Sequence, residues 1–203
     1  MSFKKISVIG LGYIGLPTAA VLASRGLQVI GVDVNQNAVD TINAGKIHIV
    51  EPDLDIVVRS VVSTGNLKAT RVPEAAEAFM IAVPTPFYSS DDGSHKPNLS
   101  YIESAAKAIA PVLEKGNLVI LESTSPVGTT EKLASWLAIE RPDLSFPQDK
   151  GDGADIKIAH CPERVLPGYV LQEIVSNDRV IGGMSNACSE RAVELYKVFV
   201  RGD

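Results

Sequence analysis

Four runs of this chain place reactive or phosphate-compatible residues directly after apolar, β-branched segments. The first is Gly10-Leu11-Gly12-Tyr13-Ile14-Gly15, after Lys5-Ile6-Ser7-Val8-Ile9. The second is Val83-Pro84-Thr85-Pro86, where two prolines fix a turn and Thr85 presents a hydroxyl. The third is Glu122-Ser123-Thr124-Ser125-Pro126-Val127-Gly128-Thr129-Thr130, rich in hydroxyls. The fourth is His160-Cys161-Pro162-Glu163-Arg164, an acid and a base on a proline-defined turn. Each has a plain structural explanation beside the chemical one. Thr85 fits a turn hydroxyl, Ser125 to Thr130 fit helix capping, and Glu163–Arg164 fits a surface ion pair.

The glycine run carries the sharpest chemistry. A strand precedes it, a helical segment continues to about Arg25, and a second strand, Gln28 to Val32, ends on Asp33. This is a βαβ unit with a dinucleotide fingerprint. Gly10 allows the tight turn, Gly12 leaves room for a pyrophosphate, and Gly15 lets helix and sheet approach. The helix N-terminus, at Tyr13 and Ile14, offers N–H groups and a positive dipole end to phosphates. Asp33 can accept both ribose hydroxyls. Val34-Asn35-Gln36 follows it without an Arg or Lys to meet a 2′-phosphate. The expected cofactor is therefore NAD rather than NADP.

The elements that position these runs alternate along the chain. Helices are expected over Asn37–Ala44, Leu54–Val62, a stretch marked by Leu99, Ile102, Ala106, Ile109 and Leu113, then Gly128–Ile139 and Ser185–Phe199. Strands are expected at Leu67–Thr70, Phe79–Val83, Asn117–Leu121, Ile156–Ala159 and Arg179–Ile181. Phe87 to Pro97 reads as a polar loop and the best candidate for mobility. Arg141 to Gly153 reads as a second loop. The predicted fold is α/β, a Rossmann-like, doubly wound parallel sheet with helices on both faces, in one domain over 1–203. Crossovers should be right-handed, and ligands should gather at the carboxyl ends of the strands.

Composition narrows the function classes. The chain has 203 residues, 45% of them hydrophobic, enough for a single core, and a net charge of −5. That balance disfavours nucleic acid and anionic membranes as partners. No apolar run approaches the ~20 residues of a membrane span. The N-terminus enters a strand without a secretory core, and two cysteines, Cys161 and Cys188, give no disulfide framework. A cytoplasmic location is the expectation. His48, His95 and His160 lack metal-ligand spacing, so no metal site is expected. Both thiols read as buried and inert.

Taken together, the runs resemble the N-terminal domain of the UDP-sugar 6-dehydrogenase family, which includes the UDP-glucose and UDP-N-acetylmannosamine dehydrogenases. The matching segments are Val8 to Pro17, Val83 to Pro86, Glu122 to Thr129 and Cys161 to Arg164, and the resemblance spans essentially the whole chain. It implies a double oxidation at C6 of a UDP-sugar, with two NAD reduced. A cysteine traps the aldehyde, and the resulting thioester is hydrolysed. By position, Gly10, Gly12, Tyr13, Ile14, Gly15, Asp33, Pro84, Thr85, Ser123 and Thr124 match cofactor contacts. Thr124 and Glu163 match the pair that positions water, with Glu163 the candidate base. Arg164 and Pro167 stand where the glucose branch usually has Phe and Glu. That points to the 2-acetamido branch and to UDP-N-acetylmannosamine, with Glu163 and Arg164 on the substrate side.

The family's nucleophilic cysteine, its central-helix Lys and Asn, its dimer-forming helix and its UDP-binding domain have no match here. The chain is accordingly expected to be the NAD-binding part of a longer, homodimeric enzyme, and inactive alone. A dehydrogenase of another substrate and a non-catalytic NAD-binding module are the alternatives.

Overall fold

The computed structural model describes residues 3–89 and 95–202. Four helical crossovers between parallel strands build it, with β3 followed by β4 without a helix. Strand β1 (Lys5–Ile9) leads into helix α1 (Gly15–Ser24), β2 (Gln28–Val32), α2 (Gln36–Asn43), α3 (Leu54–Ser63), β3 (Leu67–Thr70) and β4 (Ala78–Ile81). A small hairpin, β5 (Phe87–Ser89) and β6 (His95–Pro97), precedes α4 (Ser100–Ile109). Then follow β7 (Leu118–Leu121), α5 (Thr129–Glu140), α6 (Pro147–Lys150), β8 (Lys157–His160), α7 (Val170–Ser176), β9 (Gly182–Gly183) and α8 (Asn186–Tyr196).

The main sheet has the order β3-β2-β1-β4-β7-β8-β9. Every pairing is parallel except β8 with β9, which is antiparallel. The order reverses between β1 and β4, where ligands of such sheets bind.

Alternation along the strands divides the core into two layers. Ile6, Val8, Val29, Ala78, Met80, Leu118 and Ile120 pack with α1, α3, α7 and α8. Ile9, Ile30, Val32, Phe79, Ile81, Val119 and Leu121 pack with α4 and α5. Strands covered on both faces are nearly continuous in apolar residues for this reason. Helix α1 is buried from Gly15 to Ala23, which matches its lack of a polar face. It ends where Gly26, at φ +87°, takes the left-handed conformation.

Three expectations are corrected. The strand foreseen at Arg179–Ile181 lies instead at Gly182–Gly183, where the chain pairs with β8. The loop Phe87–Pro97 contains paired strands, with Phe87 opposite Pro97 and Ser89 opposite His95. The stretch 90–94, on which the mobility expectation rests, lies outside the described residues. The loop Arg141–Gly153 holds the short helix α6. Helix α7 is an element that the sequence reading did not contain. Seven residues with one buried face give too little periodicity to recognise. No helix among the described residues is long and apolar enough to cross a membrane.

Candidate functional site

A cavity of about 720 Å³ opens at the carboxyl ends of β1, β2, β4, β7 and β8. Gly10, Gly12, Tyr13, Ile14, Asp33, Pro84, Thr85, Ser123, Thr124 and Glu163 all line it. Gly15 and Arg164 lie outside that lining, Gly15 because it is packed beneath it.

The three fingerprint glycines do three different things. Gly10 sits at φ +91°, and a Cβ there would be 2.6 Å from the Ala82 carbonyl oxygen. A Cβ on Gly15 would be 1.7 Å from the Gly10 carbonyl oxygen. Gly12 differs: a Cβ would meet nothing within 4 Å. Gly10 and Gly15 are thus required by the fold, whereas Gly12 keeps space open. The first turn of α1 has no side-chain cap; the Leu16 N–H donates to the Gly12 carbonyl at 3.1 Å and Pro17 carries no N–H, which leaves the Tyr13, Ile14 and Gly15 N–H groups for other acceptors. Open backbone at a helix N-terminus with an acid beyond it fits a dinucleotide.

Asp33 is bound on both oxygens. Oδ2 accepts the Leu11 N–H at 2.9 Å, and Oδ1 accepts the Asn35 N–H at 2.9 Å. Each oxygen keeps a further lone pair for a ribose hydroxyl. A cation absent from the run after Asp33 is supplied from elsewhere in the chain. Arg71 lines the same wall, with Val34 and Pro73. It arrives there because β3 runs parallel to β2, so that the Asp33 N–H donates to the Thr70 carbonyl at 3.0 Å. Residues far apart in sequence become neighbours by strand pairing, which reading the run after Asp33 misses.

The turns after β4 and β7 are stitched together. Thr85 Oγ1 donates to the Thr124 carbonyl at 2.6 Å, and Ser123 Oγ donates to the Val83 carbonyl at 2.7 Å. Thr85 therefore serves the turn as well as facing the cavity, and Thr124 keeps its own side chain exposed. The capping explanation of the hydroxyl run is corrected. Helix α5 starts after Gly128 at φ +88° without a side-chain cap, while Thr129 Oγ1 donates back to the Pro126 carbonyl at 2.7 Å.

Glu163 is not paired with Arg164 through its side chain. Its partner is Arg179, with Nη1 to Oε2 at 2.6 Å and each side chain about 5% exposed. The Arg164 backbone N–H donates to Glu163 Oε1 at 2.7 Å, and the Arg164 guanidinium reaches the Asp178 carbonyl at 3.4 Å. The buried Glu51 carboxylate anchors the far end of this loop, accepting from the Gly168 N–H at 2.9 Å and the Val170 N–H at 2.8 Å. Glu122, also on the cavity wall, is almost wholly buried and takes the Tyr196 hydroxyl at 2.7 Å. Burial pushes its carboxyl up to about 7. Glu122 ends the apolar run Leu118–Leu121, the signal by which a sequence could reveal it, whereas Arg179 beside Asp178 and Tyr196 between Glu194 and Lys197 carry no such mark.

Both cysteines are buried and free. Burial raises the Cys161 thiol to about 11, so it holds its proton at neutral pH. Cys188, on α8, accepts the Ile158 N–H through sulfur at 3.3 Å.

Comparison with known proteins gives this geometry a context. Residues 4–200 match the family model for the NAD-binding domain of the UDP-glucose/GDP-mannose dehydrogenase family. A UDP-N-acetyl-D-mannosamine dehydrogenase from Campylobacter jejuni is 68% identical over 201 residues, covering 99% of this chain and 49% of that protein. An NDP-N-acetyl-D-galactosaminuronic acid dehydrogenase from Ralstonia nicotianae is 66% identical, covering 100% of this chain and 47% of its own length. The solved UDP-N-acetyl-mannosamine dehydrogenase Cap5O from Staphylococcus aureus superposes with a TM-score of 0.89 at 42% identity, over 98% of this chain and 46% of that one. The chain spans about half the length of the relatives it matches. With the fingerprint, the strand-end turns and the fold in agreement, this chain belongs to the UDP-glucose/GDP-mannose dehydrogenase family, whose NAD-binding domain it carries.

Proposed function

We propose that this chain is the NAD-binding half of a UDP-sugar 6-dehydrogenase that oxidises UDP-N-acetyl-D-mannosamine to UDP-N-acetyl-D-mannosaminuronate for surface polysaccharide biosynthesis. The observation that carries the reading is one cavity that gathers Gly12, Asp33, Thr85, Thr124 and Glu163. The first two suit the adenosine and pyrophosphate. The others lie on strand ends where a nicotinamide and a sugar C6 would meet. NAD would take up one hydride at each of the two oxidation steps, so that two NAD are consumed per uronate.

The chain's own residues orient and move protons. The α1 N-terminus and Gly12 receive the phosphates, and Asp33 receives the ribose. Tyr13, Ile14, Pro84 and Ser123 shape the walls around the cofactor. Thr124 orients a water, and Glu163 takes its proton in the hydrolytic half. Arg164, exposed at the mouth of the loop, donates to the acetamido or phosphate oxygens of the substrate. The nucleophilic cysteine and the UDP-binding domain belong to the remaining length of the full-length protein, which is read as a cytoplasmic homodimer without nucleic-acid or membrane partners.

The test uses full-length protein with NAD and a panel of UDP-N-acetylmannosamine, UDP-N-acetylgalactosamine and UDP-glucose. Two NADH per uronate, fastest with the mannosamine substrate, is the expected result. Preference for UDP-N-acetylgalactosamine or UDP-glucose would overturn the substrate assignment and leave the reaction standing. NAD binding without turnover on any sugar would favour a binding module.

A further inference from the structure

Behind the cavity wall, four side chains from separate parts of the fold close a ring. Arg179 Nη1 meets Glu163 Oε2. Arg179 Nη2 donates to the Ile174 carbonyl at 2.9 Å, which ties the guanidinium to α7. The guanidinium carbon lies 5.9 Å from the centroid of the Tyr196 ring on α8. The Tyr196 hydroxyl binds Glu122 Oε1, and the Glu122 carbonyl accepts the Glu163 N–H at 3.4 Å. Glu122 and Glu163 line the cavity, whereas Arg179 and Tyr196 do not. Glu122 Oε2 and Arg179 Nε are buried without a hydrogen-bond partner.

A surface carboxylate turns freely. Glu163 cannot, because its two oxygens are held from two sides, by Arg179 and by the Arg164 backbone. The planar guanidinium is itself fixed by a carbonyl and a ring, so it transmits one direction to its partner. We propose that Arg179 is the positioning residue of Glu163, and that Glu122 modulates this hold through Tyr196. The proposal rests on the role given to Glu163 above.

The groups facing Glu122 are Tyr196 from α8, Cys161 from the end of β8, Glu163 and Arg179. Burial keeps Tyr196 and Cys161 protonated well above neutral pH. Burial brings the Glu122 carboxyl to about 7. When Glu122 is neutral, Arg179 serves one carboxylate. When it is charged, Arg179 faces two, and Glu163 is held less firmly.

The experiment compares Arg179→Lys, Arg179→Gln, Glu122→Gln and Glu163→Gln in the full-length enzyme, with kcat, KM and pH profile for uronate formation and Kd for NAD. Misplacing a group by about 1 Å can cost about a hundredfold, so Arg179→Gln should lose roughly that in kcat and Arg179→Lys about tenfold. Both should keep the Kd for NAD within about twofold, since neither touches the cofactor wall. The kcat profile should inflect near pH 7, and Glu122→Gln should abolish that inflection. If Arg179→Gln folds and keeps wild-type kcat and pH profile while Glu163→Gln is impaired, the positioning role is overturned and the base assignment stands. If Arg179→Gln does not fold, Arg179→Lys decides: an unchanged kcat and profile overturns the proposal, and a lowered kcat with a displaced inflection supports it. If Glu163→Gln turns over normally, the base assignment fails, and the proposal fails with it.

Discussion

The Leu11 N–H donates to the Asp33 carboxylate at 2.9 Å, so the acid at the tip of β2 also holds the glycine turn after β1. Removing it does two things. Asp33→Ala leaves Leu11 and Asn35 without their acceptor and removes a charged partner for the ribose. Losing a hydrogen bond to a charged group costs about 1.5–3 kcal/mol. NAD affinity should fall roughly ten- to a hundredfold at ~1.4 kcal/mol per decade. Isothermal titration gives the affinity and urea unfolding the stability. A variant as stable as the wild type with unchanged NAD affinity would contradict both roles.

Gly12 and Gly15 separate ligand space from packing. Gly15→Ala drives a methyl into the Gly10 carbonyl, 1.7 Å away, and must distort the turn. Overpacking of this kind costs about 1–3 kcal/mol or more. Gly12→Ala meets no atom within 4 Å and should leave stability within about 0.5 kcal/mol. It should nevertheless weaken NAD, because the methyl occupies the space above the turn. Thermal melts with and without NAD would show the reversal. Equal melting shifts for the two variants would refute it.

Much of this arrangement could be read from residue order alone. Strand, glycine run, helix, strand and acid follow each other so closely that local chemistry specifies the unit. The second half of the site was less legible. Glu163 announced itself on a proline-defined turn beside a cation, but the cation that binds it is Arg179, delivered by the segment after α7. Arg71 comes to the cavity that Asp33 lines only through the pairing of β3 with β2. Sequence shows which side chains are unusual, whereas non-local pairing decides which of them meet.

Arg71 bears on cofactor choice. It is the cation on a wall whose other charged residues, Asp33, Glu122 and Glu163, are acids. Asp33 should still favour NAD by repelling a 2′-phosphate. Arg71 should soften that preference. Arg71→Ala is expected to raise the ratio of NADP to NAD dissociation constants about three- to tenfold, the scale of an exposed ion pair of up to about 1 kcal/mol or slightly more. Titration of the chain with both cofactors measures the ratio. A lowered ratio would mean that Arg71 contacts the part common to both.

Glu122 makes stability depend on pH. Its ordinary value of 4.5 is raised to about 7 by burial, so the folded state holds the proton more tightly than the unfolded chain. This contribution is fully present below about 4.5 and declines as the pH rises through about 7. The unfolding free energy should fall by up to about 3 kcal/mol across that window from this group alone. Glu122→Gln keeps an acceptor for Tyr196 and cannot ionise, so its stability should lack this decline. Urea midpoints at pH 5 and pH 8 for both proteins test the sign. A wild type that gains stability relative to Glu122→Gln on going from pH 5 to pH 8 would show that Glu122 is ionised in the native state throughout.

The thiols decide whether this half can act by itself. A nucleophile that traps an aldehyde must be a thiolate within reach of the sugar C6. Cys161 is 1% exposed and held protonated by burial, and Cys188, on α8, is fully buried. Neither lines the cavity. The 203-residue chain mixed with NAD and UDP-N-acetylmannosamine should therefore give no sustained rise in NADH absorbance. Iodoacetamide should modify both cysteines at rates set by unfolding, so that urea accelerates labelling steeply. Fast labelling of the folded chain, or turnover that Cys161→Ser or Cys188→Ser abolishes, would place the nucleophile inside this domain and reverse the assignment of its two halves.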